Sequence, residues 1–221
     1  MNQLAPGVWK LSGMPPNAIN VFLVGDVLVD AGTKFAGRRI LRQLEGRELS
    51  AHVLTHAHPD HNGVSHKVCE ARGIPLWVGE NDAEVAERPT LIRERQPDKA
   101  INKLIWRLWA GPGHPVARRL REGDEVAGFQ VLDVPGHSAG HIALWRESDR
   151  VLIAGDVLNS MNLITTVPGL HEPPTTFTPD PARNRESIKR IAALAPRIAC
   201  FGHGPVWRDP QKLSDFVANL T

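Results

Sequence analysis

The sequence predicts an α/β fold in which helices cover β-sheets, and three observations carry that expectation. Short apolar strands alternate with amphipathic helical stretches along the 221 residues, the pattern of sheets buried under helices. No internal repeat, low-complexity tract or linker interrupts the alternation, so residues 1–221 are expected to form a single domain. Hydrophobic residues make up 42% and charged residues 23%, which is ordinary globular usage and excludes a disordered or collagen-like chain.

Taken in order, residues 8–11, 19–24 and 27–30 read as strands, with Gly25-Asp26 as a tight turn between the last two, so the fold opens on a meander. A helical pattern covers 33–44, a strand 52–55, a helix 62–71 and a strand 75–78. Further strands are expected at 129–134, 142–146 and 151–154, then a helix over 181–193, a strand over 197–201 and a short terminal helix over 210–220. Residues 88–121 and 158–180 break this rhythm as long excursions, and long loops in compact domains are usually lids or binding loops.

The formal charge of +2 is too small to mark a polyanion binder, so no nucleic-acid partner is expected. The N-terminus lacks a basic region followed by an apolar run, and no segment approaches the roughly 20 apolar residues of a membrane span. A cytoplasmic protein without stable membrane insertion is therefore expected. Cys69 falls in a helix and Cys200 in a strand, at no spacing that suggests a thiolate site. Both read as buried small hydrophobes, which leaves nitrogen and oxygen as metal donors.

Such donors are concentrated at the end of one strand. Thr55-His56-Ala57-His58-Pro59-Asp60-His61 places three histidines and an aspartate within six residues. With 10 His among 221 residues, a His-x-His-x-Asp-His run arises by chance about once in a thousand such chains. A strand end holds the backbone rigidly, and a tight turn lets alternate residues converge on one ion while the others face a second. A catalytic ion usually needs three protein ligands, and further strand ends supply them: Gly136-His137, Gly155-Asp156 and Gly202-His203 each close an apolar run. His141 reads as a hydrogen-bond partner of the ligands, and His52, His66 and His114 as surface or packing residues.

The order His-x-His-x-Asp-His, Gly-His, Gly-Asp and Gly-His-Gly-Pro resembles the metallo-β-lactamase-fold superfamily, from Val29-Asp30-Ala31-Gly32 through His203. The resemblance implies a four-layer αβ/βα sandwich of two mixed sheets flanked by helices. It implies that His56, His58 and His137 hold one metal, that Asp60, His61 and His203 hold another, that Asp156 bridges them, and that Asp30 buttresses the metal loop. Zinc is the expected metal, although His and Asp sets equally suit Fe, Mn, Co and Ni. The implied activity is attack on an ester-type bond by metal-bound hydroxide, with Asp60 passing a proton to the leaving group.

Within that superfamily, a bridging aspartate is similar to the glyoxalase II, lactonase and phosphodiesterase-like branches. β-Lactamases lack it and normally carry an export signal. Glyoxalase II relatives continue into a glutathione-gripping helical domain, whereas 18 residues follow His203 here. Lactonase relatives use a tyrosine that this chain lacks, leaving Asn162 or His171 as substitute donors. A lactone, thioester or aryl ester with an apolar part is the expected substrate. The competing readings are an iron-dependent persulfide dioxygenase, a phosphoester hydrolase and a weak β-lactamase.

Residues 88–121 hold nine Lys or Arg against Glu94 and Asp98. Ile101, Leu104, Ile105, Leu108 and Trp109 recur there at helical spacing. This basic helical excursion reads as a helix packed on the sandwich with a solvated basic face, as a lid carrying Trp106 and Trp109, as a membrane-surface contact, or as the contact of a homodimer. In the second excursion Met161, His171 and Phe177 are candidate substrate contacts.

Overall fold

The computed structural model describes residues 1–220. Seven strands form the first sheet in chain order: β1 (Asn2–Ala5), β2 (Val8–Lys10), β3 (Phe22–Val24), β4 (Val27–Val29), β5 (Ala51–Leu54), β6 (Leu76–Gly79) and β7 (Val116–Leu120). The first four strands are antiparallel, whereas β4 to β7 pair in parallel. Parallel neighbours need crossovers. These are α1 (Gly37–Gln43), then α2 (Pro59–Asn62) with α3 (Ser65–Arg72), and finally α4 (Ala83–Glu87), α5 (Ile92–Arg95) and α6 (Ala100–Trp109).

The second sheet contains β8 (Glu125–Val126), β9 (Phe129–Asp133), β10 (Ile142–Arg146) and β11 (Val151–Gly155). A ribbon of β12 (Asn159–Met161) and β13 (Pro168–His171) follows, then α7 (Pro181–Ala193), β14 (Ile198–Phe201), which joins the second sheet beside β11, and α8 (Pro210–Ala218). Pro181 occupies the first turn of α7, and Asp180 caps it by accepting the Arg183 amide at 2.9 Å.

Strands buried on both faces must be apolar on both faces, and alternate residues sort accordingly. Val27, Val29, Val53, Ile142 and Leu144 meet between the sheets with Phe22 and Phe129. Leu28, Leu54 and Val78 face outward beneath Ile40 and Val68 of α1 and α3. Leu132, Ala143 and Leu152 face Ile188, Ile191 and Leu213 of α7 and α8. The order is helix, sheet, sheet, helix, the four-layer αβ/βα sandwich. Cys69 and Cys200 are buried and unpaired. No helix among the described residues is long and apolar enough to cross a membrane.

Two expectations change. Residues 88–121 are not a purely helical excursion, because Val116–Leu120 is the edge strand β7. Arg118 and Arg119 in succession interrupt its apolar alternation and mask the strand in the sequence. Residues 158–180 are likewise not loop alone, since β12 and β13 pair there.

His52, expected at the surface or in packing, is fully buried on β5. Its Nδ1 faces the Leu28 carbonyl at 3.1 Å and its Nε2 the Ser65 hydroxyl at 2.8 Å. Burial pushes its pKa down from 6.5 to about 4, against the Leu28 hydrogen bond. A histidine held neutral in the fold contributes stability above its unfolded pKa and loses it as pH falls through the folded value. His52→Gln should therefore cost stability near neutrality through its lost hydrogen bonds, and that deficit should shrink, by on the order of 3 kcal/mol in full, as pH falls from about 6.5 toward and through about 4. Urea unfolding of both proteins across that range checks this; a pH-independent difference would contradict it.

Candidate metal centre

Strand direction brings the predicted donors to one edge. β4, β5 and β6 run parallel, as do β11 and β14, and β9 is antiparallel to β10, which is antiparallel to β11. The C-terminal ends that deliver Asp30, His56, His137, Asp156 and His203 therefore all open on the same side of the sandwich. His58 is the residue before α2, and Asp60 and His61 lie in its single turn.

The donors separate into two groups. His56, His58 and His137 form one, and Asp60, His61, Asp156 and His203 the other, with the donor atoms of each group within 4.8 Å of one another. Asp156 lies between them: Oδ2 is 3.6 Å from His137 Nε2 and 3.0 Å from His203 Nε2, while Oδ1 is 3.5 Å from His61 Nε2. This crowding requires a bare backbone at position 202, where an added Cβ would sit 2.0 Å from Asp156 Oδ1.

The far side of each ring is anchored. His61 Nδ1 meets Asp30 Oδ2 at 2.9 Å, His56 Nδ1 meets the Thr55 hydroxyl at 3.0 Å, and His137 Nδ1 meets the Thr178 hydroxyl at 3.1 Å. His203 Nδ1 bonds the Ala18 carbonyl. Such partners aim the opposite nitrogen into the site. His58 differs: Gln96, from the segment between α5 and α6, bonds its Nε2, which leaves Nδ1 as the nitrogen open to an ion shared with His56 and His137. Asp30 also accepts the Thr55 amide at 2.8 Å, tying β4 to the start of the metal loop.

Charge divides the two groups. Burial and the neighbouring imidazoles hold His56 and His137 well below the usual histidine range, so both are neutral lone-pair donors. Burial opposes charge on His203 as well, yet Asp156 and Asp60 outweigh it and push the pKa up to about 10. His61 is raised in the same way by Asp156 and Asp30. Against the cost of burial, His203 and His61 hold Asp156 well below the carboxylate range.

Nε2 of His56, His61 and His137 and Oδ1 of Asp156 are buried without any hydrogen-bond partner. Leaving each such atom unsatisfied costs about 1–3 kcal/mol, so four of them converging on two points fit divalent cations. Imidazole nitrogen and carboxylate oxygen are the donor types such ions take.

Five of the donors reach a cavity of about 1010 Å³: His58, Asp60, His137, Asp156 and His203, with His56 and His61 buried beneath. Trp106, Trp109, Met161 and Phe177 line it as well. Both excursions roof it, joined where Asn102 Nδ2 donates to the Thr176 carbonyl at 2.7 Å. Trp106 is fixed by its indole N–H to the Pro89 carbonyl at 2.9 Å and by Arg93, 4.0 Å above its ring.

Three candidates are corrected. His171 lies outside the cavity lining, on β13 opposite Asn159. Asn162 is also outside it, and its side-chain oxygen accepts the amides of Ile164 and Thr165 in a local turn. His141 meets the ligand set by stacking on His56, with centroids 4.6 Å apart, rather than by a hydrogen bond to it.

Sequence reasoning missed Asp82, whose buried carboxylate accepts from Ala57 N, Ser138 Oγ and Gly140 N at 2.9, 2.7 and 2.7 Å. It also missed Asn20, whose amide donates at 2.8 Å to both the Phe201 and Gly204 carbonyls around His203. Isolated polar residues such as these carry no local signal.

A cation centre at one edge of an αβ/βα sandwich, opening on a substrate-sized cavity, defines a metal-dependent hydrolase. The metallo-beta-lactamase superfamily model matches residues 14–203, and the chain belongs to that superfamily. It is similar to "Probable metallo-hydrolase YflN" of Bacillus subtilis (strain 168), 29% identical over 214 residues, covering 88% of this chain and 80% of that protein. It is also similar to a hydroxyacylglutathione hydrolase of Bdellovibrio bacteriovorus, 28% identical over 159 residues, covering 70% of this chain and 48% of that protein. Among solved structures, that of TTHA1623 in a di-iron-bound form is 29% identical with a TM-score of 0.65, covering 96% of this chain and 94% of that one.

Proposed function

We propose that this protein hydrolyses an ester-type bond, a lactone, thioester or aryl ester attached to an apolar group, at a centre of two divalent ions. His56, His58 and His137 would hold one ion and Asp60, His61 and His203 the other, with Asp156 between them. The observation that carries this reading is the complete donor set on the floor of a largely apolar cavity of about 1010 Å³. Bound there, divalent ions of the zinc kind supply Lewis acidity, polarising a carbonyl oxygen and making a water nucleophilic near neutral pH.

The chain's own groups do the rest. Asp60 reaches the cavity, with Oδ2 3.3 Å from His203 Nε2. His61 and His203 hold its carboxyl below the usual range against the effect of burial. With a bound cation in place of the imidazolium charge it would likewise stay ionised, able to take a proton from water and pass it to the leaving group. Ile101, Ile105, Trp106, Trp109, Met161 and Phe177 offer an apolar wall for the acyl or alcohol part and exclude water. The thioester option has added support from the relative named a hydroxyacylglutathione hydrolase.

A panel of lactones, thioesters, aryl esters, phosphoesters and β-lactams assayed on metal-defined protein tests this reading. Turnover confined to phosphoesters or β-lactams would overturn the ester assignment. One iron per chain with oxygen uptake on a persulfide would overturn hydrolysis at this centre. Trp106→Ala and Trp109→Ala should each raise KM for the true substrate, by about tenfold for a lost aromatic contact, and change kcat less. Unchanged KM in both would remove the roof from substrate binding.

A further inference from the structure

Away from the hydrolytic centre, three donors of different chain segments meet near the surface. His66 and Glu70 are four residues apart on α3 and share a face. His114 belongs to the segment between α6 and β7. The donor atoms of all three lie within 4.8 Å of one another.

We infer that His66, Glu70 and His114 form a separate site for a divalent transition-metal ion of the zinc, nickel or copper class. The Nδ1 atoms of His66 and His114 are 3.2 Å apart. Two ligands on one tetrahedral ion with bonds of about 2.0–2.1 Å would be separated by about 3.3 Å, so the rings already hold the spacing of a chelating pair. Without an ion, one Nδ1 must carry a hydrogen and the other a lone pair. With an ion, both present lone pairs.

Glu70 Oε1 lies 3.8 Å from His114 Nδ1, and its side chain is 64% exposed, free to rotate onto the same point. Burial and the neighbouring His66 lower the pKa of His114, so protons compete less for that nitrogen near neutrality.

The backbone presents His114 rigidly. In Gly111-Pro112-Gly113-His114-Pro115, a Cβ at 111 would sit 2.0 Å from the Gly63 carbonyl and one at 113 2.0 Å from the Glu87 carbonyl. These close approaches seat the segment against the metal loop's exit and α4. The His114 amide adds a bond to the Ala86 carbonyl at 3.2 Å. A bound ion would cross-link α3 to the segment that anchors the roof helix α6, with water completing its coordination on the open side.

Zinc alone is the probe, and the readouts do not depend on hydrolytic activity. In the wild-type chain, diethyl pyrocarbonate modification followed residue by residue by mass spectrometry should slow at His66 and His114 together when zinc is added. Glu70→Gln should weaken that joint protection. Metal analysis after dialysis should find one more zinc in the wild type than in His66→Ala or His114→Ala, with hydrolysis unchanged in the variants. Zinc-independent modification of either histidine, or equal zinc in wild type and variants, would overturn the site. The protection experiment uses the wild-type chain, so it decides the matter even where a variant folds poorly.

Discussion

Replacing Asp156 by alanine is expected to lower kcat/KM for hydrolysis by more than about 100-fold and to reduce the metal content of the centre. Partners that merely orient a ligand are worth about 10–100-fold, and Asp156 does more than orient. Its Oδ2 lies 3.6 Å from His137 Nε2 in one donor group and 3.0 Å from His203 Nε2 in the other. Its Oδ1, 3.5 Å from His61 Nε2, is buried and without a protein partner. Removing the carboxylate would separate the two groups and leave His61 and His203 without the charge that balances them. Steady-state kinetics with metal analysis on the same preparation checks this. Full activity in the variant would rule out a centre joined through Asp156.

The second large effect is expected at a residue that donates nothing to the centre. Asp82→Ala should destabilise the fold by about 3–5 kcal/mol, the range reached when a buried hydrogen-bond network is broken. It should also weaken metal binding about 10–100-fold. The Asp82 carboxylate holds Ala57 N between His56 and His58, and Ser138 Oγ and Gly140 N between His137 and His141. One side chain thus sets the spacing of the two loops that supply the first donor group. Asp82→Asn, which keeps one acceptor oxygen, should lose less on both measures. Thermal unfolding and competition with a chelator are the measurements, and an alanine variant with wild-type stability would refute the role.

The legibility of the centre followed the range of the interactions involved. His56, His58, Asp60 and His61 are neighbours in the chain, and His137, Asp156 and His203 each end an apolar strand, so local pattern exposed all seven. Gln96 bonds His58 across 38 residues, and Thr178 meets His137 across 41. Nothing near either residue marks it. His171 and Asn162 illustrate the opposite error: each is a plausible donor by type, but neither lines the cavity, His171 sitting on β13 and Asn162 being engaged by the Ile164 and Thr165 amides in a local turn.

The apolar stripe of α6 shows the same limit. Helical spacing identified the helix but left open packing, lid, membrane contact and dimer contact. In the fold Leu104 and Leu108 are 50% and 47% exposed, while Ile101, Ile105, Trp106 and Trp109 line the cavity. One part of the stripe thus covers the cavity, with Trp106 also packed on the outer face of the first sheet's core, while Leu104 and Leu108 face solvent.

By itself the sequence determined an α/β chain with clustered metal donors, because strand periodicity and clustered donors are properties of consecutive residues, and the resemblance those motifs carry pointed to a metal-dependent hydrolase of the metallo-β-lactamase superfamily, to which the chain belongs. Only the tertiary structure decided that Asp82 and Gln96 brace the donors, that β7 closes the first sheet, that the two excursions roof one cavity, and that His66 meets His114. These depend on which strand ends share an edge, and strand order and direction are settled when the two sheets pack.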